Sequence, residues 1–315
     1  MNVPTGLFDR RLIFVTGKGG VGKSTVATAL GLLGARRGLR TIVAELQSQE
    51  RVQQAFLDDG PPPQHFVEVE LAPGLFTISI DPQHAMEEYL RIKVGPLGHA
   101  LSASRLFHAF TMATPGMREL LSIGKVWELA QLQRRTRGAS PYDLVVVDAP
   151  ATGHGLGVLK TARTFADIAR VGPIAHQAGH IAATIADRDF TAIVAVAAPE
   201  EMPVNETLSL RDGLAQEQLG LDLTVVNAVY PSRFDAAQIE RVREAVKQAR
   251  EPVARGALSA AVSEHARAET QRRQLARLRE GLSMNGRLVE LPFVFADHFG
   301  RAELERLADA LGAQL

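Results

Sequence analysis

Residues 14–25 read FVTGKGGVGKST, an apolar run opening into four glycines, two lysines, a serine and a threonine. Gly17, Gly19, Gly20 and Gly22 let the backbone curl until successive N–H groups point inward, a cradle suited to phosphate oxygens. A helix beginning near Lys23 would add the positive end of its dipole. Lys23 has the reach for the outer oxygens of a nucleoside triphosphate, and the Ser24 hydroxyl can ligate Mg²⁺. The stretch Gly17 to Thr25, with Val21 inside it, is therefore the expected phosphate loop. Its spacing, G-x-x-x-x-G-K-S, gains weight from lying between a strand-like run and a helix-like one, as the chemistry requires. One lysine suffices for such a loop, so Lys18 needs a separate explanation.

Two carboxylates fall where a phosphate site would use them. Asp148 ends the apolar run DLVVVD and could hold Mg²⁺ through a water; otherwise it is a turn or capping residue. Glu45 ends RTIVAE, the second strand-like run. It could serve as a base or orienter for the attacking water and help hold the metal, or it could be a solvated charge at a strand end.

The elements that must position these residues alternate along the chain. Apolar runs at 12–16, 40–46, 143–150, 191–199, 221–227 and 287–292, with 65–71 and 75–80 as added strands or a hairpin, give seven or eight strands. Helical stretches separate them, so the expected fold is α/β: a doubly wound, mostly parallel sheet of the P-loop NTPase kind with a helical subdomain. The runs at 143–150 and 191–199 look buried on both faces. Residues 82–138 and 155–188 supply the helical subdomain, and 235–282 reads as a charged helical stretch broken near Pro252. One domain over 1–315 is expected, since the proline cluster at 58–64 is too short to separate two.

Composition removes whole classes of function. The 315 residues carry 35 basic and 35 acidic side chains, so no basic footprint points to nucleic acid. With no cysteine, disulfides, thiolate zinc sites, iron–sulfur ligation and thiol catalysis are all excluded. No run approaches the roughly 18 apolar residues of a spanning helix, and MNVPTGLFDRR lacks a signal-peptide core. A soluble, cytoplasmic protein is expected.

The stretch GKGGVGKST resembles the deviant Walker A signature K-G-G-x-G-K-[ST] of the MinD/ParA/ArsA class. Other segments narrow the likeness to the arsenite-pump ATPase and tail-anchored-protein targeting family. VVVDAPATGHGLGVLKT is similar to its switch segment, and AAPEEMPVNETLSL to its P-E…E-T helix start. LTVVNAVYP matches the segment whose asparagine, Asn227 here, reads the adenine. LFTISIDPQHAMEEYL and PGMRELLSIGKVWEL also have counterparts, and ELPFVFADHFG falls at the adenine-covering loop, which implies that Pro292 and Phe293 line the base. The resemblance covers nearly the whole chain. It implies an ATP hydrolase, giving ADP and phosphate with Mg²⁺, that works as a homodimer in which Lys18 crosses to the partner's nucleotide and neutralises transition-state charge, as an arginine finger does. Lys18, Lys23 and Glu45 are then the catalytic residues, and Ser24, Asp148 and Glu45 the metal residues.

The likeness has limits. Where the family reads D-P-A-H, this chain has Glu45-Leu46-Gln47-Ser48, and the extra methylene displaces the carboxylate. Without cysteine there is neither a metalloid site nor a zinc clasp, and there is one phosphate loop in place of the pump's two halves. Two functional readings follow: hydrolysis coupled to handling a hydrophobic helical client, or a nucleotide switch subunit of a membrane complex. Phe107, Phe110, Met112 and Met117 are candidates for a client surface or for core, and His176 and His180, four apart, for a helix-face pair that usually binds no metal. The amphipathic C-terminal segment, with mixed charges, should dock on the sheet rather than on a membrane. Arsenite or antimonite added to an ATPase assay should leave the rate unchanged. A reproducible several-fold activation would overturn the metalloid-free reading.

Overall fold

The structure, a computed structural model, describes residues 6–46, 51–56, 65–94, 114–136, 138–169, 173–282 and 287–315. In chain order its elements are β1 (Leu12–Gly17), α1 (Lys23–Arg36), β2 (Thr41–Glu45), α2 (Arg51–Phe56), β3 (Val69–Ala72), β4 (Leu75–Ser79), α3 (Pro82–Val94) and α4 (Met117–Leu129). They continue with β5 (Leu144–Ala151), α5 (Thr152–Ala169), α6 (Pro173–Ala186), β6 (Thr191–Ala197), α7 (Glu201–Gln216), β7 (Leu223–Val229), α8 (Ala236–Gln248), α9 (Pro252–Gly281), β8 (Leu288–Pro292) and α10 (Arg301–Gly312).

Eight strands form one sheet in the order β3-β4-β2-β5-β1-β6-β7-β8. All pairings are parallel except the β3–β4 hairpin at one edge. The expected α/β sheet is therefore present, and the hairpin alternative is the one adopted for the two added strands. The strand expected from residue 65 begins only at Val69: Phe66 takes a left-handed φ of 55° and stacks on His84 at 5.6 Å, so the chain there bends instead of extending.

Strand periodicity divides the core between the two faces. Ile13 and Val15 face a layer made by α1, α2 and α10, whereas Leu12 and Phe14 face one made by α4, α5, α6 and α7. β1 and β6 are buried at every position, as near-continuous apolar runs require. The helical stretch 235–282 does break at Pro252, which starts α9 where its missing N–H costs nothing. A polar network ties the α3–α4 region to the sheet: Lys125 lies 2.7 Å from Glu88 and 3.1 Å from Glu128, and Arg134 bridges Glu128 and Glu68. Tyr142 at the foot of β5 also donates to Glu68 at 2.7 Å, and burial with that carboxylate pushes its phenol well above the ordinary range.

The C-terminal helix α10 packs its apolar stripe, Leu304, Leu307, Ala308 and Leu311, into the α1 face of the core. Leu307 is 2% exposed, so Leu307→Ala should lower stability by about 2–4 kcal/mol in denaturant unfolding. A loss below about 0.5 kcal/mol would show that the docked helix contributes nothing to the core.

Candidate nucleotide site

The loop after β1 leaves the sheet where β5 and β6 flank it. That is the point at which successive connections depart in opposite directions, and in open α/β sheets it is where ligands bind. Gly17 sits at φ 152°, and a Cβ there would lie 2.1 Å from the Val196 carbonyl oxygen, so no larger residue allows this exit. Gly22 caps α1 from the left-handed region at φ 91°. A side chain on it would come within 2.3 Å of Asn227 Nδ2, which donates to the Val21 carbonyl at 3.0 Å. Asn227 thus lies against the loop, brought there from β7.

Ser24 and Asp148 meet at this end of the sheet: the Ser24 hydroxyl donates to Asp148 Oδ2 at 2.5 Å. The other carboxylate oxygen, Oδ1, is buried without a partner, and so are Thr16 Oγ1 and Ser79 Oγ nearby on β1 and at the end of β4. A buried polar atom left unpaired costs about 1–3 kcal/mol, so a row of them at the strand ends marks a place for a ligand. Burial pushes the Asp148 carboxyl up, although the Ser24 hydroxyl, Lys23 and Arg51 all favour its charged form. Burial likewise pulls the Lys23 ammonium below its ordinary range, with Asp148 and Glu206 opposing and Arg51 adding to the effect. A hydroxyl beside an anionic carboxylate with a spare buried oxygen is a donor set that fits Mg²⁺.

The two lysines of the loop part company. Lys23 Nζ folds back to the Lys18 carbonyl at 3.1 Å, whereas Lys18 Nζ is held by Glu206 of α7 at 2.6 Å. Glu45 is buried, not the solvated strand-end charge that the sequence also allowed; it is 2% exposed and its Oε1 accepts from the Arg51 and Val52 N–H groups at 2.9 and 3.3 Å. Its register partners are Asp148 on β5 and Ser79 on β4, so the two carboxylates are neighbours.

Phe293, just past Pro292, forms an aromatic group with Tyr230 (4.5 Å, stacked) and Phe295 (4.8 Å, edge-on). Arg267 donates to the Tyr230 hydroxyl at 2.8 Å, and Arg233 lies over Phe295. This cluster stands beside Asn227 because β7 kinks: Ala228 adopts a left-handed φ of 61°, held by Gln271 of α9, which bonds both the Ala228 carbonyl and the Tyr230 N–H. Sequence reasoning missed Tyr230, Gln271 and Glu206. An aromatic after the NAV of β7 and a helix-start glutamate were visible, but their partners are remote in the chain.

A model of the anion-transporting ATPase family matches residues 10–171. The ATPase BagA of Mycobacterium tuberculosis is 30% identical over 333 aligned positions, which span 99% of this chain and 95% of that protein. The arsenical pump-driving ATPase of Acidiphilium multivorum is 26% identical over 70% of this chain and 39% of its own length. The ATPase ASNA1 homolog of Entamoeba dispar is 25% identical over 70% of this chain and 76% of its own length. The chain belongs to the anion-transporting ATPase family. It is an ATP hydrolase.

A cavity of about 190 Å³ opens between α3, α4 and α6, lined by Met86, Leu90, Met117, Leu120 and Ile181. Met117 is on its wall, whereas Phe107, Phe110 and Met112 lie outside the described residues. His176 and His180 share one face of α6 with Nε2 atoms 3.3 Å apart, and among the described residues no group of three or more His, Asp or Glu ligands gathers anywhere. No described helix is long and apolar enough to cross a membrane.

Because the Asp148 carboxyl titrates higher in the folded protein than in the unfolded chain, the folded state binds more protons between those two values. Nucleotide-free stability should thus fall as pH rises through that window and stay lowered at neutral pH. Asp148→Asn removes the charge, so its melting temperature should exceed the parent's at pH 7–8, with the gap closing on acidification below the ordinary carboxylate range. An Asp148→Asn protein no more stable than the parent at neutral pH would contradict the burial argument.

Proposed function

We propose that the chain hydrolyses MgATP at the site formed by Gly17, Gly19, Gly20, Val21, Gly22, Lys23, Ser24 and Thr25, as a homodimer in which Lys18 of each subunit completes the other's site. The supporting observation is the division between the two lysines. Lys23 stays over its own loop, whereas Lys18 is drawn off to Glu206, a carboxylate on a different element. A lysine serving its own loop's phosphates would have no need of that partner.

The roles of the remaining residues follow from their positions. Ser24 and Asp148 would hold Mg²⁺, which supplies charge neutralisation across the outer phosphates. Lys23 neutralises the same oxygens from the loop. Asn227 spends one amide N–H on Val21 and keeps a carbonyl and a second N–H, the pair that an adenine edge requires. Pro292 and Phe293, with Tyr230, cover the base. Glu45 orients the attacking water, and its present bonds to Arg51 and Val52 must loosen for it to do so. The cavity between α3, α4 and α6 supports a hydrophobic client as the cargo of the cycle, in the cytoplasm.

Substitution should separate the lysines in kind. Lys23→Ala should weaken ATP binding in calorimetry, whereas Lys18→Ala should leave affinity nearly intact and lower turnover by roughly 10³-fold. In a mixture, a Lys18→Ala subunit should recover hydrolysis when paired with a Lys23→Ala subunit whose Lys18 is intact. Heterodimers with no recovery, together with normal turnover by Lys18→Ala alone, would reduce Lys18 to a loop residue paired with Glu206.

A further inference from the structure

We propose that the cavity between α3, α4 and α6 is a binding site for a small aliphatic carboxylate, its chain held inside and its head on Arg135 and Gln177. The inference rests on the reading given above, in which that cavity receives the cargo, and it names the cargo's chemistry.

Size decides the class of occupant. The cavity holds about 190 Å³. A single turn of a helix, about 10 Å across and about 5.4 Å long, would need roughly twice that. A cavity of roughly 150 Å³ lined by aliphatic and aromatic side chains takes a ring the size of benzene, so this one suits a chain of roughly six to ten carbons. Met86 and Leu90 of α3, Leu120 of α4 and Ile181 of α6 line it, and all are buried, so such a chain would leave water for apolar walls.

Hydrogen bonding decides the head. The two carboxylates on the cavity wall are already spent. Glu88 accepts from Thr136 at 3.0 Å and lies 2.7 Å from Lys125, whereas Glu128 is held by Lys125 and Arg134. The polar groups left over are donors. Arg135 lines the same cavity; its Nη2 donates to Gln177 Oε1 at 3.0 Å, and its guanidinium lies 4.7 Å from the Trp127 ring centre. Trp127 is anchored in turn, its Nε1 donating to Thr184 at 3.0 Å. The stack and the amide fix the plane of the guanidinium, and among the described residues its Nε and Nη1 have no partner. With Oε1 turned to Arg135, the N–H groups of Gln177 are left for a ligand, and Tyr89 on the wall has a hydroxyl to donate. Donors gathered beside occupied carboxylates match an acceptor head, and a preset guanidinium fork matches a carboxylate above others.

Calorimetry on the full chain, with and without MgATP, would use straight-chain carboxylates from butanoate to dodecanoate, with octanol and octylamine as headgroup controls. The expected result is one site per chain. Affinity should rise about fourfold per added methylene until the cavity is full. Octanoate should bind at least about tenfold more tightly than octanol or octylamine, and Arg135→Gln should abolish that preference while leaving octanol within about twofold. A second variant fills the space. Gly124 lines the cavity from α4, and a Cβ there would meet only Ile181, at 3.8 Å, so Gly124→Leu should keep the fold, as melting curves will verify, and cost octanoate at least about tenfold in affinity. No saturable binding of any carboxylate up to about 10 mM overturns the proposal, as does equal affinity for octanol and octanoate, or a Gly124→Leu protein that binds octanoate normally. An apolar helical peptide that binds where no carboxylate does, and is lost in Gly124→Leu, would assign the cavity to a helix instead. Octanoate that binds as expected without altering ATP hydrolysis would support the site and remove the cargo reading.

Discussion

Ser24 and Asp148 lie 124 residues apart and meet at 2.5 Å because β1 and β5 run side by side in parallel, both ending at the same edge of the sheet. The connections that return the chain to the bottom of the sheet put the C-terminal ends of the seven parallel strands at that edge, β3 alone running the other way. Polar groups at those ends cannot pair with a following strand residue, and Asp148 Oδ1, Thr16 Oγ1 and Ser79 Oγ are left buried and unbonded there. The cost is tolerable because the layers below, with strands buried on both faces, supply the stability. The site is thus a by-product of parallel packing, placed where the sheet cannot satisfy itself.

Charge is arranged around that edge in pairs. On the β6 side, Lys18 is neutralised by Glu206, and at the centre Lys23 is opposed by Asp148. On the β2 side, Glu45 is spent on backbone N–H groups of α2. Nucleotide phosphates would replace several of these internal contacts with stronger charge-assisted ones. Such an exchange gives the protein a physical means of differing between its nucleotide-bound and empty states, since Glu45 and Glu206 each hold an element, α2 and α7, that the loop alone does not.

The proposed base site depends on a separate feature, a kink in β7. Ala228 is held in a left-handed conformation by a buried glutamine, Gln271, on a helix 43 residues further along the chain. Next to the kink, Asn227 bonds to the loop and Tyr230 stacks on Phe293, so a strained residue in β7 separates the two groups proposed to meet the base. The family likeness covers this region as well as the loop, since the relatedness to BagA extends over 99% of the chain.

The sequence by itself determined the sheet, the helix that follows β1, the break at Pro252 and the docked C-terminal helix, because these depend on local signals: apolar periodicity, glycine spacing and a proline with no N–H. It also specified the candidate phosphate loop, nine consecutive residues from Gly17 to Thr25. Tertiary structure alone decided who partners whom. That Lys18 pairs with Glu206, that Glu45 is buried as an anchor for α2, that Phe66 bends the chain ahead of β3, and that Gln271 holds the bend beside Asn227 are all outcomes of packing that no local pattern marks. A charge or an amide in a sequence states what it can bond to. Only the register of the strands and the angle of the helices determine which of several equivalent partners comes within 3 Å, because hydrogen-bond energy falls away over a fraction of an ångström while sequence periodicity fixes only a face.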